Sequence, residues 1–146
     1  MNPVCKTNKS PFDCFMGKWE GSSQTFDVDG TFLEKTPVHM DISWIDTETF
    51  SQLEHIDNLF QVGEITLRSE IRVTGKTAFA KTAHLHLQAT ELTPSTFLFR
   101  VESGASHTTL HNMHYFIDAN NRRVITHKLK QGNTFVFQVQ DFVRIG

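Results

Sequence analysis

Hydrophobic and polar residues alternate with a period of two along most of this chain. Over residues 38–44 every second side chain is apolar, and the residues between them are polar. The same alternation recurs over residues 65–73, 97–101 and 135–145. A period of two is typical of β-strands that bury one face, and turn-forming residues separate these segments. The pattern predicts about nine or ten strands with no long helix between them.

This arrangement favours an antiparallel meander, because parallel neighbours would need long crossover connections. So many strands in one chain require a closed barrel or a sandwich, either of which removes unpaired strand edges. A short helix is predicted to precede them, with Ser10 as its N-cap, Pro11 at its first position and Gly17 after its end. We expect a flexible tail over residues 1–9 and a single all-β domain over residues 10–146.

Composition argues against several function classes. The net charge is −2 and no basic patch is present, so nucleic acid is not an expected partner. No apolar run approaches the ~20 residues of a membrane span, and the N-terminus lacks the apolar region of a secretory signal, so we expect a cytoplasmic protein. Cys5 and Cys14 are interpreted as thiols rather than as a disulfide. The 13 Phe residues, against one Tyr, suit a thick core or an apolar cavity.

Two features near the chain ends carry a resemblance to a known superfamily. Gly17-Lys18-Trp19 follows the predicted short helix, and Arg144 lies near the end of the last predicted strand. This layout resembles the calycins, lipocalin-like β-barrels that include nitrobindin-like haem proteins and phycobilin lyases. The resemblance implies a closed up-and-down barrel with a small hydrophobic or amphipathic ligand in its lumen. It also implies that Trp19 closes one end with Arg144 stacked across it, a contact worth roughly 0.5–2 kcal/mol.

Candidate site residues follow if the lumen is the more apolar face of each strand. His111, Met113 and Tyr115 share one face, and we assign His111 and Tyr115 as candidate catalytic acid–base groups. The mixed polarity of residues 50–55 adds pocket candidates from that segment. The candidate ligand-binding residues are Trp44, Gln52, Glu54, Phe97, Phe99, Met113, Phe135 and Phe137. Because strand faces alternate, choosing the wrong lumen face would move every assignment by one residue.

The eight histidines raise the question of a metal or haem site. His84 and His86 share a strand face, and His111 or Glu91 would supply a third ligand. An ordinary solvent-facing strand side explains the same pattern more simply, so we assign no metal ligands. The candidates for an axial haem ligand are His111, His114 and His127.

Three functional hypotheses follow. The first is binding of a small hydrophobic or amphipathic molecule in the lumen. The second is a barrel enzyme, a cyclase, isomerase or chromophore lyase, that acts on such a molecule with a His, Tyr or Glu as acid or base. The third is a haem or metal protein on the same scaffold, although the sequence identifies no cofactor. A homodimer is left open, and if the polar strand faces point inward, Arg68 and Arg72 would meet an anionic group.

Overall fold

The computed structural model describes residues 10–58, 63–82, 85–104 and 107–146. Three sequence expectations fall outside these residues: the flexible tail over 1–9, the thiol of Cys5 within it, and the position of His84. No described helix is long and apolar enough to span a membrane.

The described residues form ten antiparallel strands that close into one barrel. The strands are β1 (Gly17–Asp27), β2 (Phe32–Trp44), β3 (Thr49–Asn58), β4 (Gly63–Thr74), β5 (Thr77–Lys81), β6 (Leu85–Thr93), β7 (Thr96–Ser103), β8 (Thr108–Asp118), β9 (Asn121–Lys130) and β10 (Asn133–Arg144). Each strand pairs with the next along the chain, and β10 closes the barrel against β1. The predicted all-β, closed up-and-down architecture is confirmed.

One end of the barrel is filled by the short segment before β1. Pro11–Phe15 form a 3₁₀ helix, and the Ser10 hydroxyl oxygen accepts a hydrogen bond from the Phe12 amide (3.1 Å). Phe12 and Phe15 are fully buried, with ring centres 5.3 and 4.8 Å from that of Phe97. Because five residues are too few for a stable isolated helix, this segment depends on the barrel and serves as its aromatic plug.

The structure brings Trp19 and Arg144 together at the plugged end. The two residues are direct partners between β1 and β10, and the guanidinium carbon lies 4.4 Å from the centre of the Trp19 ring. Arg144 also donates hydrogen bonds to the backbone oxygens of Cys14 (2.8 Å) and Met16. The indole N–H of Trp19 donates to the backbone oxygen of Phe15 (2.9 Å). These bonds tie the first and last strands to the plug.

A second arginine, Arg122 on β9, is buried beside the same indole. It is 1% exposed, and its guanidinium carbon lies 4.5 Å from the Trp19 ring centre and 5.0 Å from that of Phe142. Its Nη2 lies 3.5 Å from the sulfur of Met40. Aromatic faces attract a guanidinium, so these rings stabilise the buried charge of Arg122.

Glycine is required at two points where the chain closes on itself. At Gly21 a Cβ would collide with the Asp141 carbonyl oxygen on β10. The lack of a side chain at Gly21 therefore allows β1 and β10 to approach closely. Gly17 has a φ of +124°, and a Cβ there would meet the Arg144 guanidinium. The glycine of the Gly17-x-Trp19 sequence therefore makes room for the arginine that stacks on its tryptophan.

The strand pairing around the barrel is shortest between β4 and β5 among the described residues. Among the described residues these two strands share three register pairs, from Arg72↔Phe79 to Thr74↔Thr77, whereas β3 and β4 share ten. The nine β4 residues before Arg72 therefore have no β5 ladder partner among the described residues. This gap reaches the interior, because residues on both sides of it line the main cavity.

Candidate functional site

A cavity of about 500 Å³ lies inside the barrel above the plug. Apolar side chains from several strands form much of its wall. They include Met40, Leu87, Phe99, Val101, Leu110 and Val124. The volume falls within the range of roughly 300–1,000 Å³ that is typical of small-molecule sites.

Polar side chains from β3, β8 and β10 are set into this apolar wall. Asn112 and His114 lie two residues apart on β8 and face inward, and Gln52, Glu54 and Gln140 face the same space. Within the described part of the chain, Asn112 Oδ1 and His114 Nδ1 are buried without a hydrogen-bond partner. Buried polar groups are normally satisfied, so these two unpaired atoms set Asn112 and His114 apart from the other polar residues that line the cavity.

His114 is held in its neutral form. It is 6% exposed and packs against aromatic rings, with its centre 4.5 Å from that of Phe99 and 5.4 Å from that of Phe15. Burial lowers the pKa of His114 well below its usual value, and the nearby Arg122 charge lowers it further. A neutral imidazole offers one donor and one acceptor nitrogen, which suits hydrogen bonding to an uncharged group.

Burial shifts the pKa values of two ionisable side chains near the cavity, Glu54 and Lys128. Burial raises the pKa of Glu54, against the opposing effect of Arg122 and Lys128. Burial also lowers the pKa of Lys128, and the carboxylates of Glu54 and Glu34 act in the opposite direction. Burial therefore favours the uncharged form of both groups.

The cavity opens in two directions. A smaller space of about 240 Å³ shares Val101 and Leu110 with it and extends past Lys128 and Phe135, away from the plug. The larger cavity also reaches exposed side chains at the gap between β4 and β5. These are Arg68 and Glu70 on one side, and Lys81 and Thr82 on the other.

Several sequence-predicted pocket residues face this cavity, and others support its closed end. Gln52, Glu54 and Phe99 line it. Phe97 is fully buried in the plug instead. Trp44 also lies at the closed end, where its indole N–H donates to the Asp13 carboxylate (2.8 Å).

The predicted lumen face of β8 was wrong, and the opposite face, one residue out of step, lines the cavity. His111, Met113 and Tyr115 lie on the outer face, and Asn112 and His114 take the inner positions. Tyr115 is 37% exposed, so neither it nor His111 reaches the cavity as an acid–base group. The inner face of β8 is the polar one at this height, which reverses the assumption that the lumen follows the more apolar side.

The candidates on β10 are corrected in the same way. Phe137 lies outside against His127, with ring centres 4.9 Å apart. Phe135, at a register shift in the β9–β10 ladder, is 38% exposed and borders only the smaller space. Neither lines the main cavity.

The histidine alternatives separate by strand face. His111 and His127 are direct partners across β8 and β9 and do not line the cavity, whereas His114 does. His86 is exposed on β6. Among the described residues, no group of three or more His, Cys, Asp or Glu side chains is arranged to hold a metal ion.

Comparison with known proteins yields structural relatives only. No family model matches the sequence, and no curated protein matches it. A protein of unknown function from the DUF3598 family of Nostoc punctiforme superposes with a TM-score of 0.77 at 15% identity, over 99% of this chain and 52% of that chain. This chain therefore spans about half the length of that relative. The S-type phycobiliprotein lyase CPES from Guillardia theta gives 0.71 at 11% identity, over 92% and 90% of the two chains. Rv2717c from M. tuberculosis gives 0.68 at 9% identity, over 100% and 99%.

The chain shares the closed antiparallel β-barrel fold of these three structures. At these identities the likeness establishes the fold and leaves the ligand to be argued from the cavity. Gln52, Glu54 and Phe99 were predicted from the sequence pattern, whereas Asn112 and Gln140 were not, and His114 was predicted only as a candidate haem ligand. The available signal was the polar pair at 112 and 114, which lies between Leu110 and Phe116 on one face of the strand.

Proposed function

We propose that this protein binds a small amphipathic molecule, with a largely apolar body, inside the barrel. The observation that carries the proposal is the cavity of about 500 Å³, with apolar walls and two buried polar atoms that lack partners, Asn112 Oδ1 and His114 Nδ1. Protein interiors are otherwise close-packed, so an internal space of this size is a common mark of a binding site.

The arrangement of wall residues supports a ligand with both apolar and polar parts. A wholly apolar molecule would leave the buried acceptor of Asn112 unmet, which is costly. A strongly polar molecule would lose its hydration against Leu87, Phe99 and Val124 without enough partners to replace it. The fold shared with a phycobiliprotein lyase adds linear tetrapyrroles to the compounds worth testing.

A neutral fluorescent probe tests the proposal. N-phenyl-1-naphthylamine should bind saturably, with a rise in emission, and Ala80→Trp should abolish that binding because the indole fills the cavity that Ala80 lines. Phe79→Trp is the matched control, since Phe79 is the next residue on β5 and is 46% exposed. Binding that survives Ala80→Trp in a folded protein, or no saturable binding by the wild type, would count against an internal site.

An enzyme on the same scaffold is the second candidate, and one observation favours it. Glu54 and His114 both line the cavity, and burial favours the neutral form of each. Groups of this kind are suited to donate or accept a proton. Solvent extraction and mass spectrometry of the bound molecule, before and after prolonged incubation, separate the two functions. A carrier returns its ligand unchanged, and an enzyme returns a product.

A further inference from the structure

The buried wall of the cavity offers hydrogen bonds but no cation. Three of its polar groups are carboxamides, at Gln52, Asn112 and Gln140, and His114 is a buried imidazole. Arg122 is close in the fold, but it lies among aromatic rings and does not line the cavity. The Glu54 carboxyl also lines the cavity, and burial raises its pKa and so favours its neutral form. The deep part of the site therefore presents no cation.

The cationic side chains that do border the cavity lie at its edges. Arg68 and Lys81 are exposed at the gap between β4 and β5. Lys128 borders the smaller space instead, and burial lowers its pKa. An anionic group on a ligand would find Arg68 and Lys81 near solvent, while the deep part of the ligand meets no cation.

Three residues form the recognition wall: Phe99, Asn112 and His114. Phe99 on β7 is the direct partner of Asn112 on β8, and its ring centre lies 4.5 Å from that of His114. The wall thus combines an aromatic ring with a carboxamide and an imidazole, and the Asn112 oxygen and one His114 nitrogen are both buried without a protein partner in the described residues. A carboxamide oxygen accepts hydrogen bonds and cannot donate them.

The Asn112 oxygen therefore needs a hydrogen-bond donor as its partner. A carboxylate placed there would bring two acceptors toward another acceptor, with a neutral imidazole as neighbour rather than a cation. Burial and the Arg122 charge lower the pKa of His114, which keeps that imidazole uncharged at neutral pH. A neutral N–H or O–H group meets the need without a buried charge.

We propose that the recognition wall selects ligands that present a neutral hydrogen-bond donor, N–H or O–H, to Asn112 on a planar apolar body lying against Phe99. The inference rests on the proposed function and specifies its ligand class: neutral, planar, donor-bearing ring systems in the deep part of the site. Asn112 is then the specificity-determining residue.

Three naphthalenes of matched shape test this. Near neutral pH, 2-naphthol carries a neutral donor, 2-methoxynaphthalene carries only an acceptor, and 2-naphthoate carries a negative charge. The ether is the more apolar of the two neutral compounds, so burial alone would favour the ether. By calorimetric titration we expect 2-naphthol to bind about tenfold more tightly than the ether, and naphthoate to bind most weakly.

Asn112→Leu removes the acceptor while keeping a side chain of similar size. In that variant the ether should bind at least as tightly as 2-naphthol, so the preference reverses. Thr109→Leu is the matched control, because it introduces leucine on the outer face of the same strand and should leave the tenfold preference intact. The NMR shift of the His114 imidazole nitrogens should also move on addition of 2-naphthol to the wild type.

The wild-type comparison needs no variant to fold, so it decides the matter alone. Equal or tighter binding of the ether, with both compounds bound in the cavity, would overturn donor selection and leave the binding function standing. Tightest binding of naphthoate would overturn the neutral character of the deep site. If none of the three compounds, nor N-phenyl-1-naphthylamine, binds, both this inference and the proposed function fail.

Discussion

Replacing Arg144 with methionine should weaken the closed end of the barrel while keeping an unbranched side chain of similar reach. The substitution removes the guanidinium that lies 4.4 Å from the Trp19 ring centre. It also removes the donors to two backbone oxygens, that of Cys14 in the plug and that of Met16 directly after it. A third donor, to the backbone oxygen of Ala119 in the loop before β9, is lost as well. Strands and plug then lose their shared anchor.

The expected cost follows from these contacts. Loss of a guanidinium–indole contact costs about 0.5–2 kcal/mol. Leaving the partly buried carbonyls of Cys14 and Met16 without donors costs about 1–3 kcal/mol more. We expect the free energy of unfolding to fall by about 3 kcal/mol in total, since the methionine stem retains part of the packing.

Urea unfolding followed by tryptophan fluorescence and circular dichroism measures this loss. Arg123→Met is the matched control, because Arg123 also lies near the closed end but makes an exposed ion pair with Asp141 (2.8 Å). Such a pair contributes about 0.2–1 kcal/mol. Equal losses in Arg144→Met and Arg123→Met, or a loss under about 1 kcal/mol in both, would refute the anchoring role of Arg144.

Three further predictions address other parts of the molecule. Gly21→Ala should cost more than about 2 kcal/mol, because its Cβ collides with a β10 carbonyl, whereas Gly104→Ala, in open space, should cost less than about 0.5 kcal/mol; equal urea midpoints would contradict the close approach. Burial lowers the pKa of folded His114, so the unfolded chain takes up the proton first and stability present above about pH 6.5 should decline below it. His114→Gln should flatten that decline. The prediction is refuted if wild type and variant lose the same free energy of unfolding between about pH 7.5 and about pH 5.5. Phe15→Ala should cost about 3–5 kcal/mol by emptying the plug, and half-exposed Phe135→Ala should cost under about 1 kcal/mol; comparable melting curves would refute the plug.

The fold could be predicted largely from local signals. Alternation with a period of two identifies strands, since successive side chains point to opposite faces whatever the tertiary context. Ser10 and Pro11 mark the start of the short helix through their own backbone chemistry, and the structure places a 3₁₀ helix there. Trp19 and Arg144 could be paired only through a family resemblance, because 125 residues separate them in sequence.

The site was harder to predict because alternation identifies two faces without telling which is inside. On β8 the outer face carries Met113 and Tyr115, and the inner face carries Asn112 and His114. Hydrophobicity alone points the wrong way there, since a binding cavity needs polar groups on its inner wall. The inner face of β8 is decided by its register with the neighbouring strands, which a single sequence does not reveal.

Arg122 shows a second limit of local pattern. In sequence it adjoins Arg123 in a turn-rich polar segment, and nothing local distinguishes the two. In the barrel, strand alternation sends Arg123 outward to Asp141 and Arg122 inward among Trp19 and Phe142. A buried arginine of this kind depends on rings contributed by distant strands, so its role emerges only after the barrel closes.

Substitutions in the cavity wall should cost less stability than substitutions in the plug. The fully buried aromatic rings and the Arg144 anchor lie at one end, whereas Asn112 and His114 face a space that already lacks close packing. Substituting a residue against an existing cavity creates less new void than substituting one in a filled core, so its cost should be smaller. The recognition wall can therefore change its hydrogen-bonding chemistry with little loss of stability, while the closed end cannot. Ligand specificity is then free to differ among barrels that share this fold, which is consistent with relatives that match in architecture at 9–15% identity.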